Sequence, residues 1–349
     1  MKAFVTGSTG LLGSNLTRLL IEQGHSVVAL ARSPEKAHAQ LGASPQLTVV
    51  KGDIEDNASF SAALAGCDVL FHCAAYFREY YGRGDHWRKL ERVNVHGTID
   101  LLNRAEAAGI KRTVYVSSGG VIQARADGRP STEADIYARD AALENLYFKS
   151  KVHAEYAIQD WLKQHRHEVI SILPSWIHGP QDAAPTAAGR LILDFLNKKL
   201  PAIPPGGASV VDARDVAQAM INAVERGRNG ERYLIHNRYA SLAEINQILE
   251  AVSGIPASKI HLPYPVALGM AWVMQTIASM QRKDALITVS GIRVMKEGEQ
   301  HKVDGSKAMH ELGITPRPFE DTLRDAVAWV RANKAGELTT TPAQVSAAA

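Results

Sequence analysis

Apolar residues in the first half of the chain fall in short runs separated by helical patterns. Ala3-Phe4-Val5, Val27-Val28-Ala29-Leu30, Leu47-Thr48-Val49-Val50, Val69-Leu70-Phe71, Thr113-Val114-Tyr115-Val116 and Val169 to Leu173 are the runs. Runs this short, apolar and rich in β-branched residues read as strands. Between them, Leu16, Leu19 and Leu20, then Ser59 to Leu64, then Thr98 to Ala108 recur at helical spacing. Alternating strands and helices predict a parallel sheet covered on both faces. Right-handed crossovers then put the ligand at the carboxyl ends of the strands.

The pattern changes after Pro174. Pro180, Pro185, Pro201, Pro204, Pro205, Gly206 and Gly207 accumulate, and mixed helices follow. Val210-Val211 and Tyr233-Leu234-Ile235 read as strands returning to the main sheet. The expected fold class is therefore α/β: a doubly wound parallel sheet with a smaller mixed α/β C-terminal domain. Its boundaries are residues 1–173 for the first domain, joined by 209–238, and 174–208 with 239–335 for the second. Residues 336–349 are small and polar and are expected to be a disordered tail.

One segment breaks the soluble pattern. No Asp, Glu, Lys or Arg lies between Lys259 and Arg282, and Pro265 to Met280 is apolar nearly all round. A helix of that kind is ordinarily buried, so a core, lid or subunit-interface helix is the first expectation. Pro263, Pro265, Gln275, Thr276 and Ser279 make it a poor membrane span. Peripheral membrane contact through 265–280 is the lesser alternative, because the Lys- and Arg-rich polar face of a surface helix is missing.

Composition narrows the class further. The 349 residues carry 39 basic and 36 acidic side chains, a net charge of +3 that gives no support for nucleic-acid binding. Cys67 and Cys73 are the only cysteines, too few for a disulfide framework. With an opening MKAFVTGSTG that lacks the apolar core of a secretory leader, the expectation is a cytoplasmic protein. The 13 histidines are scattered without ligand spacing, and no metal site is expected.

Two motifs carry chemistry. Thr6-Gly7-Ser8-Thr9-Gly10-Leu11-Leu12-Gly13 joins the first strand to the first helix. Its glycines suit a tight turn, close approach of backbone to a pyrophosphate, and close helix–strand packing. The helix N-terminus offers free N–H groups to phosphate. Tyr147 and Lys151, four residues apart, share one face of a predicted helix. An ammonium beside a phenol favours the phenolate and lowers its pKa from roughly 10 towards neutrality.

The Thr-Gly-x-x-Gly-x-x-Gly loop, the Ser117-Ser118 pair ending a strand and the Tyr-x-x-x-Lys pair together resemble the extended branch of the short-chain dehydrogenase/reductase superfamily, over roughly residues 1–335. The resemblance implies a nicotinamide dinucleotide cofactor held by Thr6, Gly7, Thr9, Gly10, Leu11, Leu12 and Gly13. At the end of the second strand Arg32 and Ser33 stand where an acidic residue would select NAD, so NADP(H) is expected and NAD(H) is the alternative. The resemblance further implies that Asp53 and Ile54 lie along the adenine, and that Ala74 and Ala75 offer main-chain contacts. It assigns Ser117 backbone, Pro174, Ser175 and Ile177 to the cofactor, and Tyr147 and Lys151 to its ribose side. Ser118, Tyr147 and Lys151 are the implied catalytic residues, and Asn94 is given a structural role. The family commonly has an Arg before Pro174; here Leu173 stands there.

The substrate side is an aromatic loop from Tyr76 to Trp87, Tyr76-Phe77-Arg78-Glu79-Tyr80-Tyr81-Gly82-Arg83-Gly84-Asp85-His86-Trp87, with Trp176 as a further candidate. Aromatic faces with arginines suit a small, partly apolar carbonyl compound. The reading favoured is an NADP(H)-dependent reductase similar to dihydroflavonol reductases. A nucleotide-sugar epimerase is the alternative, and a non-catalytic NADP-binding regulator the third. Dehydratases of the branch carry Asp-Glu where this chain has Gly119-Gly120. Many members pair through the helix bearing the Tyr, so a homodimer is among the expectations.

Overall fold

The computed structural model describes residues 1–77, 85–280 and 288–338. In chain order the elements begin β1 (Lys2–Thr6), α1 (Leu11–Glu22), β2 (Ser26–Ala31), α2 (Pro34–Leu41), β3 (Leu47–Lys51) and β4 (Val69–His72). They continue with α3 (His86–Leu90), α4 (Gly97–Ala107), β5 (Arg112–Val116), α5 (Leu146–Leu162), β6 (Glu168–Pro174), β7 (Trp176–His178) and α6 (Ala187–Leu196). The remainder is β8 (Gly207–Asp212), α7 (Ala213–Arg226), β9 (Arg232–Ile235), β10 (Arg238–Ser241), α8 (Leu242–Ser253), α9 (Tyr264–Met280), α10 (Val289–Gly298), α11 (Ser306–Leu312) and α12 (Phe319–Asn333). A π-helical turn, Glu91–His96, fuses α3 to α4, and Asn57–Leu64 is a 3-10 helix.

All six apolar runs are strands. They form a seven-stranded sheet of order β3-β2-β1-β4-β5-β6-β9, parallel throughout, with the reversal of order between β1 and β4. Alternate residues feed opposite faces. Ala3 and Val5 pack under α1 and α7, whereas Phe4 joins Phe60, Leu64, Leu70 and Leu101 on the other side. This is the Rossmann-type doubly wound architecture, with the crevice at the carboxyl ends of β1 and β4.

β9 takes the edge of the sheet as expected. The edge is blunted: the Leu234 amide donates to the nearly buried Glu133 carboxylate at 2.8 Å, and the Lys307 ammonium donates to the Arg232 carbonyl at 2.7 Å. Val210-Val211, expected in the same sheet, is instead the middle of a second one, β10-β8-β7. Val210 faces the C-terminal core with Ile192, Ile245 and Phe319, and Val211 faces the main core, so β8 needs an apolar residue on both sides without joining the main ladder. α7 returns the chain to the main sheet against α1.

The apolar helix α9 is not buried in the core. Its inward positions are the small Ala267, Ala271 and Ala278; Trp272 is 65% exposed and Met280 81%. Of the expected tail, Gly336 and Glu337 end an exposed 3-10 turn, the Asn197 side-chain amide donates to the Glu337 carbonyl at 3.0 Å, and Leu338 packs on the C-terminal core. Residues 339–349 lie outside the described residues.

Candidate active site

The glycine loop is shaped by contact with the end of β4. Gly7 has φ +67°, and a Cβ there would stand 2.8 Å from the Ala74 nitrogen. A Cβ on Gly13 would stand 2.0 Å from the Gly7 carbonyl oxygen, so the helix can start this close to the loop only with glycine. Gly10 donates to the Gly7 carbonyl at 2.9 Å and caps α1 with no side-chain hydrogen bond. The first-turn amides of Leu11, Leu12 and Gly13 therefore have no side-chain acceptor. The Thr9 carbonyl accepts from Gln40 at 3.1 Å. Thr6 and Ala74 meet each other, the Ala74 N–H donating to the Thr6 hydroxyl at 3.1 Å, with Ala75 half-buried beyond.

The Thr6 hydroxyl also meets His72 Nδ1 at 2.8 Å, and His72 Nε2 lies 3.3 Å from the Thr98 hydroxyl. Burial, then the Lys151 charge, lowers the His72 pKa to about 3, so the ring is neutral. Burial likewise pushes the Cys73 thiol up to about 12. Both are packing groups rather than reactive ones.

At the end of β2 the Arg32 guanidinium is exposed and makes no ion pair or hydrogen bond to the described residues. Ser33 is engaged: it N-caps α2 by accepting from Lys36 and donates to the Glu35 carboxylate at 2.9 Å. Asp53 accepts from the Glu55 amide at 3.0 Å in a tight turn, and Ile54 packs on the core beneath.

α5 starts where Asn145 caps it. The Asn145 side-chain oxygen accepts from the Tyr147 and Phe148 amides at 3.0 and 3.1 Å, which sets Tyr147 in the first turn. One turn on, Lys151 is 2% exposed. Its ammonium donates to the Val116 carbonyl at 2.7 Å and the Tyr115 hydroxyl at 3.1 Å, and sits 5.8 Å from the centre of the Tyr147 ring. Burial lowers the Lys151 pKa to about 8, against the opposing pull of Glu155 and Cys73. Tyr115 is fully buried, and desolvation, then Glu155 and Tyr147, raises its pKa well above 10.

The strand-end serines differ. Ser118 is half-buried and accepts from the Gly120 amide at 3.1 Å. The Ser117 amide donates to the Ile172 carbonyl at 2.8 Å, while its buried hydroxyl has no hydrogen-bond partner among the described residues. A Cβ on Gly120 would fall 2.4 Å from the Phe148 ring, so the turn after Ser118 and the start of α5 interlock. A Cβ on Gly119 would approach the Pro174 carbonyl at 3.2 Å. Pro174 and Ser175 are tied to β9, the Ser175 amide donating to Ile235 at 3.0 Å, and Ile177 pairs with Val211.

On the substrate side, Phe77 packs edge-on to Tyr147 with ring centres 4.6 Å apart. The Tyr76 backbone is clamped by Asn94, whose side-chain oxygen accepts from its N–H at 2.7 Å and whose amide donates to its carbonyl at 3.0 Å. Asn94 also donates to Ser150, which donates to the Tyr147 carbonyl. Trp176 stacks edge-on to His178 at 4.5 Å and packs, partly buried, on the C-terminal core. Arg78 lies outside the described residues. Tyr115, Asn145 and Phe148 escaped the sequence reading. The signal for Tyr115 was strand alternation, which turns it towards α5 while Val114 and Val116 face α7. Among the described residues no group of three or more His, Cys, Asp or Glu could hold a metal ion.

Residues 3–236 match the NAD dependent epimerase/dehydratase family. The chain belongs to that family, and within it to the extended short-chain dehydrogenases/reductases of the dihydroflavonol-reductase-like kind. It is 34% identical over 336 residues to a putative dihydroflavonol 4-reductase of Synechocystis, covering 93% of each chain. It is 31% identical to sterol demethylase protein B of Methylococcus capsulatus, covering 95% of this chain and 98% of that one. Among solved structures it resembles gox2253, at 29% identity and TM-score 0.78, covering 96% of this chain and 99% of that one. The close approach at Gly7, the uncapped start of α1 and the unpartnered Ser117 hydroxyl fit a dinucleotide at the carboxyl ends of β1, β4 and β5.

Proposed function

We propose that this protein is an NADP(H)-dependent reductase of an aldehyde or ketone carbonyl on a small, partly apolar substrate. The observation that carries the reading is the pairing of Tyr147 with the buried Lys151 on α5. When bound, the nicotinamide supplies the hydride. Tyr147 donates a proton to the carbonyl oxygen and Ser118 polarises it. The Lys151 ammonium favours the phenolate left behind, and the Tyr115 hydroxyl and Val116 carbonyl hold it in place. Phe77 covers Tyr147 and supplies an apolar wall. The second domain, 174–208 with 239–335, supplies the rest of the substrate side. The names of the two relatives, a dihydroflavonol reductase and a sterol demethylase protein, support a substrate with a fused or linked ring skeleton.

Arg32 supports NADP(H) over NAD(H), because its exposed guanidinium is free to meet a 2′-phosphate. That preference also counts against the epimerase reading. Gly120 counts against a dehydratase, since any side chain there would collide with Phe148. Titrating the protein with NADPH and NADH, then following NADPH oxidation across ketones, aldehydes and nucleotide sugars, tests both points. Tightly held NAD with sugar interconversion would overturn the reading.

A further inference from the structure

Glu155 is a buried carboxylate that the proton transfer itself does not use. It lies on α5 one turn beyond Lys151, on the same face, and is fully buried. Its Oε2 accepts from Arg232 Nε of β9 at 2.8 Å. Its Oε1 is buried with no hydrogen-bond partner among the described residues. Burying a carboxylate is costly, and an unpaired oxygen adds to the cost. An ion pair that only joined α5 to β9 could be replaced by apolar side chains without loss, so that link does not account for it. We propose that Glu155 is a positioning residue of the catalytic site: locked by Arg232, it is the buried counter-charge that holds Lys151 as an ammonium beside Tyr147.

The sheet brings Arg232 to this place. Thr6, His72, Tyr115, Ser171 and Arg232 are register partners across β1, β4, β5, β6 and β9. Their chain neighbours Val5, Phe71, Val114, Ile170 and Tyr233 all lie in the core under α1 and α7. Strand alternation therefore turns the five polar residues to the other face, where α4 and α5 pack. A polar row crosses the sheet at the level of the glycine loop. From α5, Lys151 meets this row at Tyr115 and Glu155 meets it at Arg232.

Lys151 directs its hydrogen bonds to Val116 and Tyr115, so Glu155 acts on it through space. A buried setting, poor in water, strengthens such an interaction. The other titratable groups facing Lys151 do not compete. Burial holds the His72 pKa at about 3 and the Cys73 thiol at about 12. Tyr115 stays a phenol, its pKa raised by burial and then by Glu155 and Tyr147. Thr98, Asn94 and Ser171, the polar side chains that α4, the π-helical turn and β6 bring to this face, carry no charge. Glu155 is thus the anion that opposes the desolvation of Lys151, and Arg232 is the second cation at that anion.

This role rests on Tyr147 and Lys151 acting as proposed. The test is the pH profile of kcat/KM for Glu155→Gln, which removes the charge and keeps an acceptor for Arg232. The alkaline limb should move to lower pH by about one unit or more, the lower end of what a neighbouring opposite charge contributes. The acid limb should stay in place, so the loss of rate grows from about pH 6 to about pH 9, either side of the Lys151 value of about 8. Glu155→Gln leaves Arg232 without its anion, so the double variant Glu155→Gln, Arg232→Met removes the pair together. Its melting temperature should recover relative to the single variant, with the alkaline limb still below the wild-type position. A loss of rate uniform across pH, or a limb restored by the double change, would overturn the proposal and leave Glu155 a link between α5 and β9. A substrate-free arm separates this outcome from failure of the reductase reading. Between the folded Lys151 pKa and its ordinary 10.5 the unfolded chain holds more protons, so stability rises with pH. Urea denaturation of Glu155→Gln should show that rise beginning at lower pH than in the wild type. An unmoved onset overturns the role of Glu155 whatever the protein reduces. A moved onset in a protein that turns over no carbonyl keeps that role and removes the reductase reading.

Discussion

The Lys151 ammonium donates a 3.1 Å hydrogen bond to the hydroxyl of Tyr115, and both side chains are buried. A lysine has three N–H donors, and the Val116 carbonyl takes a second. The third is left for the Tyr147 side and the cofactor. Tyr115→Phe removes one acceptor of the charged form, so the Lys151 pKa should fall below its value of about 8. Activity that needs the ammonium is lost as pH rises through that pKa. The alkaline limb of the kcat/KM profile should therefore move to lower pH in Tyr115→Phe, with the acid limb unmoved. An unchanged alkaline limb would show that Tyr115 is only packing.

The same lysine has a signature in stability. Its folded pKa, about 8, lies below its ordinary 10.5. Between those two values the unfolded chain holds more protons, so this group's contribution makes stability rise with pH across that window. Lys151→Met should flatten the rise, measured by urea denaturation at several pH values.

Gly120 and Phe148 should be coupled. The 2.4 Å approach means that Gly120→Ala must displace the Phe148 ring, at a cost of about 1–3 kcal/mol for overpacking. Because Tyr147 precedes Phe148, turnover should fall as well. Adding Phe148→Ala to Gly120→Ala should recover thermal stability relative to the sum of the single variants. Additive losses would contradict the interlock.

Arg32→Ala should weaken NADPH binding by about 1.5–3 kcal/mol, the range for hydrogen bonds to charged groups, and leave NADH binding within about twofold. Isothermal titration with both cofactors separates the outcomes. Equal losses for both would mean that Arg32 reads no 2′-phosphate.

Much of this was legible from the chain itself. Five of the six apolar runs became strands buried on both faces, a condition that leaves a clear mark in sequence, and the sixth, β3, is the sheet edge with Thr48 exposed. Gly7, Gly13, Tyr147 and Lys151 were readable because each rests on local geometry: a loop that tolerates no Cβ, and a helical repeat. Relationships between distant segments were not readable. β8 resembled a seventh sheet strand because Val210 and Val211 are both buried; its partners Trp176 and Arg238 are set by tertiary pairing. That Ser33 also caps α2 was not readable, because the cap depends on a helix starting at Pro34. α9 looked buried because its composition is apolar all round, and composition cannot say which side meets the protein.

The central claim is that Tyr147 is the proton donor. The direct measurement is steady-state NADPH oxidation by Tyr147→Phe with a carbonyl substrate turned over by the wild type, alongside NADPH titration of the same variant. The account predicts that kcat falls by about 10²–10⁴, the range for loss of a general acid, while NADPH affinity stays within about threefold because the glycine loop and Arg32 are untouched. Turnover close to the wild-type rate would contradict it.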